Sequence, residues 1–107
     1  MAAYMIVFVS ISDREKFISG YGRAAGELVE KFGGRYLVRA PGAQILEGDL
    51  DPGSSVVISE WPDKAAALEF WNSDEYQTVK KLREGIADAR VAIIEAPSIV
   101  ERGDEKQ

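Results

Sequence analysis

The chain has 107 residues, the size of one domain, with 46% hydrophobic and 29% charged residues. Its net charge of −5 repels phosphate backbones and anionic lipid, so nucleic acid and membrane surfaces are poor partners. With no cysteine and no histidine, disulfides, thiolate chemistry, Cys/His zinc sites and His-held haem are excluded, and no metal or cofactor is expected.

The N-terminus, Met1 to Val7, lacks the basic region of a signal peptide, and its apolar run stops at Ser10. No stretch reaches the roughly 18 apolar residues of a membrane span, so a cytoplasmic protein is expected. Tyr4 to Ile11 is rich in β-branched and aromatic residues and predicts a strand that is apolar on both faces. Ser12-Asp13-Arg14-Glu15 has the spacing of a capping box. Phe17, Tyr21, Ala24, Leu28 and Phe32 then recur at helical spacing, joined by Ile18, Ala25 and Val29 in one apolar stripe. Gly33-Gly34 supplies the helix stop. Gly22 and Gly26 flank the stripe, either as plain surface glycines or where another group approaches closely.

Arg35 to Arg39 predicts a second strand, with Tyr36 and Val38 on one face and Leu37 on the other. After the Pro41-Gly42 turn, Gln44 to Glu47 is a short extended piece able to fold back on it. Val56 to Trp61 predicts a third long strand. Pro62-Asp63 opens a helix that runs to about Trp71, and Ser73 caps a second helix through Tyr76, Val79, Leu82 and Ile86. Val91 to Ala96 is the last strand, and Pro97 ends it. Residues 1–97 thus form one domain, followed by a polar tail over 98–107.

This order is the split βαβ arrangement: α+β, βαββαβ, an antiparallel sheet with helices on one face. A first strand that is apolar on both sides needs a second cover, and a two-fold copy of the same sheet supplies it. A homodimer is therefore expected.

No phosphate loop, dinucleotide fingerprint, HExxH or GxSxG is present. Candidate residues must come from looser groups. Arg39 and Glu47 flank the return after the second strand; they either form a rim salt bridge or present an arginine that binds an acidic ligand. Glu60 sits in an otherwise apolar strand; facing a cavity between sheet and helices, it would have a raised pKa suited to proton transfer. On a solvated strand end it has no such role. Tyr76 and Arg83 are seven residues apart on one helix, with Trp71 and Asn72 nearby. Trp61 and Trp71 either line a pocket for a planar ligand or belong to the core. Asp49-Leu50-Asp51 reads as a solvated turn rather than a cation site.

Gly33-Gly34-Arg35-Tyr36-Leu37-Val38-Arg39, Leu46-Glu47-Gly48, Val56-Val57-Ile58-Ser59-Glu60-Trp61-Pro62 and Asn72-Ser73-Asp74-Glu75-Tyr76-Gln77 resemble, in order and spacing, the DUF1330 family. The resemblance runs from about Tyr4 to Ala96. Trp61 stands where the family pattern usually has Phe, and Asp74 where it often has Pro. It implies a ferredoxin-like protomer in the dimeric α+β barrel superfamily, and transfers no catalytic residue. That superfamily includes cofactor-independent monooxygenases and small isomerases. Two functions follow as expectations. One is a small-molecule enzyme in which Glu60, Tyr76 and Arg83 act on a substrate lined by Arg39, Glu47, Trp61, Trp71 and Asn72. The other is a non-catalytic dimer that holds a metabolite or a partner.

Overall fold

The structure, a computed structural model, describes residues 1–97. The polar tail expected over 98–107 lies outside the described residues. Four strands, β1 (Ala3–Ile11), β2 (Arg35–Ala40), β3 (Ser55–Trp61) and β4 (Ala87–Glu95), form one antiparallel sheet in the order β2-β3-β1-β4. The helices lie on one face, so the architecture is the expected ferredoxin-like α+β fold. Strand alternation assigns the faces. Ala3, Met5, Val7 and Val9 of β1, with Val57, Ser59 and Trp61 of β3, point toward the helices. Tyr4, Ile6, Phe8, Val56, Ile58 and Glu60 point the other way.

The first helical region has three parts. A short α1 (Arg14–Lys16) leads into a π-helical turn (Phe17–Gly22), which leads into α2 (Arg23–Lys31). Asp13, not Ser12, is the cap: its carboxylate accepts from the Lys16 amide at 3.1 Å, while the Ser12 hydroxyl donates to the Ile86 carbonyl. A π turn inserts about one extra residue, which rotates what precedes it relative to α2. The single expected stripe is therefore broken. Ala25 and Val29 are buried, but Ile18 is 55% exposed.

The end of α2 follows its glycines. The Gly34 amide donates to the Val29 carbonyl at 2.8 Å and the Gly33 amide to Glu30 at 3.1 Å, with Gly33 at φ +95°. Gly34 has a second duty. A β-carbon there would lie 2.8 Å from three atoms of the Trp61 ring. Trp61 is 1% exposed and packs on Phe70, with ring centroids 4.9 Å apart. Gly34→Ala is expected to lower stability by about 1–3 kcal/mol through this overpacking, read as an earlier urea midpoint; an unchanged midpoint contradicts it.

Between Tyr36 and Val38 the register of β2 against β3 shifts. Tyr36 pairs with Ser59, Val38 with Ile58 and Arg39 with Val57. This bulge overturns the simple alternation, which placed Tyr36 and Val38 on one face. Tyr36 and Arg39 now share the helix side. Gln44 to Glu47 does not return as a strand; it belongs to the long loop between β2 and β3. Within that loop the Ala43 amide donates to the Ser54 carbonyl and the Gly53 amide donates to the Ala43 carbonyl. Asp51 serves that loop as an acceptor for Ser10, consistent with a turn, and no metal-ligating cluster occurs among the described residues.

Asp63 caps α3 (Lys64–Asn72) and Ser73 caps α4 (Asp74–Lys80), as the sequence predicts. The second helix ends sooner than expected. A 3₁₀ turn over Lys81–Arg83 and Gly85 at φ +82° end it, so that β4 begins at Ala87 rather than Val91. No helix among the described residues is long and apolar enough to cross a membrane.

Candidate functional site

Small residues leave space in the core. Gly22 and Ala25 from the first helical region face Ser59 of β3 and Ala89 of β4, where larger side chains would fill the gap. The result is a cavity of about 100 Å³ between sheet and helices. Its walls are mostly apolar, and its polar groups are few. No Asp, Glu, Lys or His is among the residues that line it.

Two tyrosines meet over this space. Their hydroxyls lie 2.7 Å apart, joining Tyr21 of the π turn to Tyr76 of α4 across 55 residues. The rings sit edge to face, and Tyr76 also stacks near Phe70 and Trp71. Burial, reinforced by the Tyr76 hydroxyl, pushes the Tyr21 phenol far above its ordinary pKa. Burial likewise raises Tyr36. Tyr21 therefore acts as a hydrogen-bonding group, not as a base. A raised folded-state pKa stabilises the fold fully below the unfolded value of 10.0 and loses that contribution as pH rises past it. Urea midpoints are expected to fall from pH 9.5 to 11, and less steeply in Tyr21→Phe. Equal slopes would show that the phenol is not held neutral.

Arg83 is the exceptional group. It comes from the 3₁₀ turn after α4, and its guanidinium sits 5.3 Å from the centre of the Tyr21 ring. Its Nε is buried and has no hydrogen-bond partner. A buried donor left without a partner is costly. Arg39 also lines the cavity, its guanidinium 4.6 Å from the centre of the Tyr36 ring, brought to this side by the β2 bulge.

Of the candidate residues, Arg39, Trp71, Tyr76 and Arg83 line the cavity. Four do not. Glu60 lies on the other sheet face, where Arg35 Nε donates to it at 2.8 Å and the Tyr4 hydroxyl at 3.2 Å. The Arg35 hydrogen bond holds its carboxyl below the usual range, opposite to the raised pKa that a base in the cavity requires. Trp61 is core, its Nε1 donating to Ser59 Oγ at 3.0 Å. Asn72 is exposed at the end of α3. Glu47 is exposed in the β2–β3 loop, and no ion pair links it to Arg39 among the described residues. Tyr21, Tyr36 and Ser59 were not singled out as site residues. Tyr21 was visible only as a member of the helical stripe.

A split βαββαβ sheet with a cavity between sheet and helices defines a ferredoxin-like α+β fold. The sequence matches the domain of unknown function DUF1330 over residues 2–97, and the chain belongs to that family. No curated protein matches the sequence. Solved structures share the fold. A protein of unknown function from Rhodopseudomonas palustris has a TM-score of 0.73 at 23% identity, covering 91% of this chain and 83% of its own. SnoaB, a cofactor-independent oxygenase from Streptomyces nogalater, has a TM-score of 0.67 at 11% identity over 91% and 94%. An antibiotic biosynthesis monooxygenase has a TM-score of 0.58 at 20% identity over 92% and 100%.

Proposed function

We propose that this protein is a small-molecule enzyme that takes an apolar organic acid or phenol into the inner cavity and acts on its anion. The observation that carries the reading is the buried, unpartnered Nε of Arg83 in a cavity without a carboxylate. An anion supplied by a ligand satisfies that donor, and in an apolar surround the charge-assisted bond is strong. The Tyr21–Tyr76 hydroxyl pair supplies a further donor. A roughly 150 Å³ apolar cavity admits benzene, so a space of about 100 Å³ takes one ring and no more, and only as its apolar walls give way slightly. Arg83 lowers the pKa of a bound phenol or enol, whose proton leaves to water. The resulting electron-rich anion is the form in which an organic molecule reacts with dioxygen directly, which accords with the oxygenase named among the structures of similar fold.

One observation favours a second reading, binding without turnover: no residue lining the cavity is a carboxylate, lysine or histidine to act as a base. Thermal shifts with benzoate and substituted phenols test the binding that both readings require. Oxygen uptake with the compounds that bind separates the two: uptake above the protein-free rate supports the enzyme, and stabilisation without uptake supports the binder.

The assembly is part of the proposal. Ile6, Phe8, Val38, Ile58 and Ile94 lie on the sheet face away from the helices, and Ile94 is 52% exposed. We infer that a second copy covers this face, and that the protein works as a homodimer in the cytoplasm.

A further inference from the structure

A second concavity adjoins the first. It is a cleft of about 840 Å³ that shares Val9, Phe17, Gly22, Arg39 and Val57 with the inner cavity. Its own charged groups are all of one sign. Arg14, Arg23 and Arg39 line it, and no Asp or Glu does. That cluster stands out on a chain whose net charge is −5. Among the described residues the ion pairs are Lys31–Glu75 and Arg35–Glu60, so none of the three arginines is in one. Arg14 is held over the cleft by a hydrogen bond from Nη2 to Ser55 Oγ at 3.1 Å. Arg39 stands at the junction of the two spaces. The floor between them is the π turn, Phe17–Gly22, an irregular helical turn of the kind that recurs at functional sites.

Like charges gathered around one cleft repel each other, and an anion relieves the repulsion. Because the two spaces share walls, a ring held in the small inner cavity leaves the rest of a larger ligand beside the arginines of the cleft.

We propose that the outer cleft is an anion subsite for a distal acidic group of the same ligand. The ligand is then a dianion: a flat apolar head with one acidic oxygen at Arg83, and a tethered carboxylate or phosphate at Arg14, Arg23 and Arg39. This inference rests on the inner-cavity reading above and adds the substrate class to it.

Two probes test it on the full chain. Benzoate carries the head alone; 4-(4-carboxyphenyl)butanoate adds a carboxylate on a three-carbon tether. The Nε–H signals of Arg14, Arg23 and Arg83, followed by ¹⁵N-resolved NMR titration, report each site separately. Benzoate is expected to move Arg83. The dianion is expected to move Arg83, Arg14 and Arg23 together, and to bind about tenfold or more tighter than benzoate, as one added charge-assisted contact implies. The double variant Arg14→Ala, Arg23→Ala, altered at two exposed positions, is expected to lose that advantage. A phosphonate in place of the tethered carboxylate shows which acid the cleft prefers, by the larger tether advantage. The subsite is overturned if the dianion moves Arg83 but neither Arg14 nor Arg23, or if its advantage survives in the double variant. If neither probe moves Arg83, the inner-cavity reading fails, and the subsite built on it fails too.

Discussion

Arg83→Met is expected to weaken binding of benzoate or a phenol by about 10- to 100-fold while leaving the fold as stable as before, or more so. Two effects of opposite sign lie behind this result. A hydrogen bond to a charged group contributes roughly 1.5–3 kcal/mol, and its loss from a bound anion gives that range in Kd. In the free protein, however, the Arg83 Nε makes no hydrogen bond, so its removal gives up none there. Methionine keeps much of the arginine's apolar stem beside the Tyr21 ring, and an apolar side chain in place of a half-buried arginine whose Nε is buried without a partner is neutral to stabilising. Isothermal titration and thermal melting of the same variant check both halves. Weaker binding together with a large loss of stability would mark Arg83 as a structural residue. Unchanged binding would remove it from the site. Arg83→Lys distinguishes charge from geometry, because a lysine keeps the charge but lacks the planar donor fork.

Ile58→Arg is expected to convert the proposed dimer to a monomer, with a mass near 11.8 kDa by light scattering. Ile58 sits opposite Ile6 and Val38 on the face away from the helices, in the middle of the sheet. Covering about 300 Å² of apolar surface there contributes roughly 7 kcal/mol before association costs. On a two-fold interface the substitution enters twice and brings two positive charges near each other. A penalty of about 4 kcal/mol raises the dissociation constant roughly 1000-fold. The Arg35–Glu60 pair on the same face adds a polar contact on its β2 side, with Arg35 Nη2 2.6 Å from Glu60 Oε1. A wild-type chain that scatters as a monomer at micromolar concentration would overturn the dimer, and Ile58→Arg would then change only solubility. The helix-side cavity does not include Ile58, so ligand binding by the monomeric variant also tests whether one chain suffices for the site.

Most local signals in the sequence hold where they act within a few residues, the exception being the Ser12 capping box, where Asp13 is the cap. Asp63 and Ser73 cap the helices they announce, because a side-chain oxygen reaches an amide only three residues on. Gly33 ends α2, because the left-handed turn needs no partner beyond that helix. The order of strands and helices, and with it the fold class, followed from hydrophobic periodicity. The site depended on interactions that periodicity does not encode. β3 carries apolar residues on both faces, so alternation separates Glu60 from Trp61 without saying which one faces the helices. Packing against Gly34 and Phe70 decided it: Trp61 went inward to the core, and Glu60 went outward to Arg35. The β2 bulge turned Arg39 to the cavity side through pairing with a strand some twenty residues on, a register that no local signal sets. Tyr21 and Tyr76 met because the π turn re-phased one helix against another. The sequence by itself determined the order of the strands and helices, the caps at Asp63 and Ser73, and a first strand that is apolar on both faces. Tertiary packing alone decided which residues surround the cavity, because small side chains from three distant segments had to converge to leave it open.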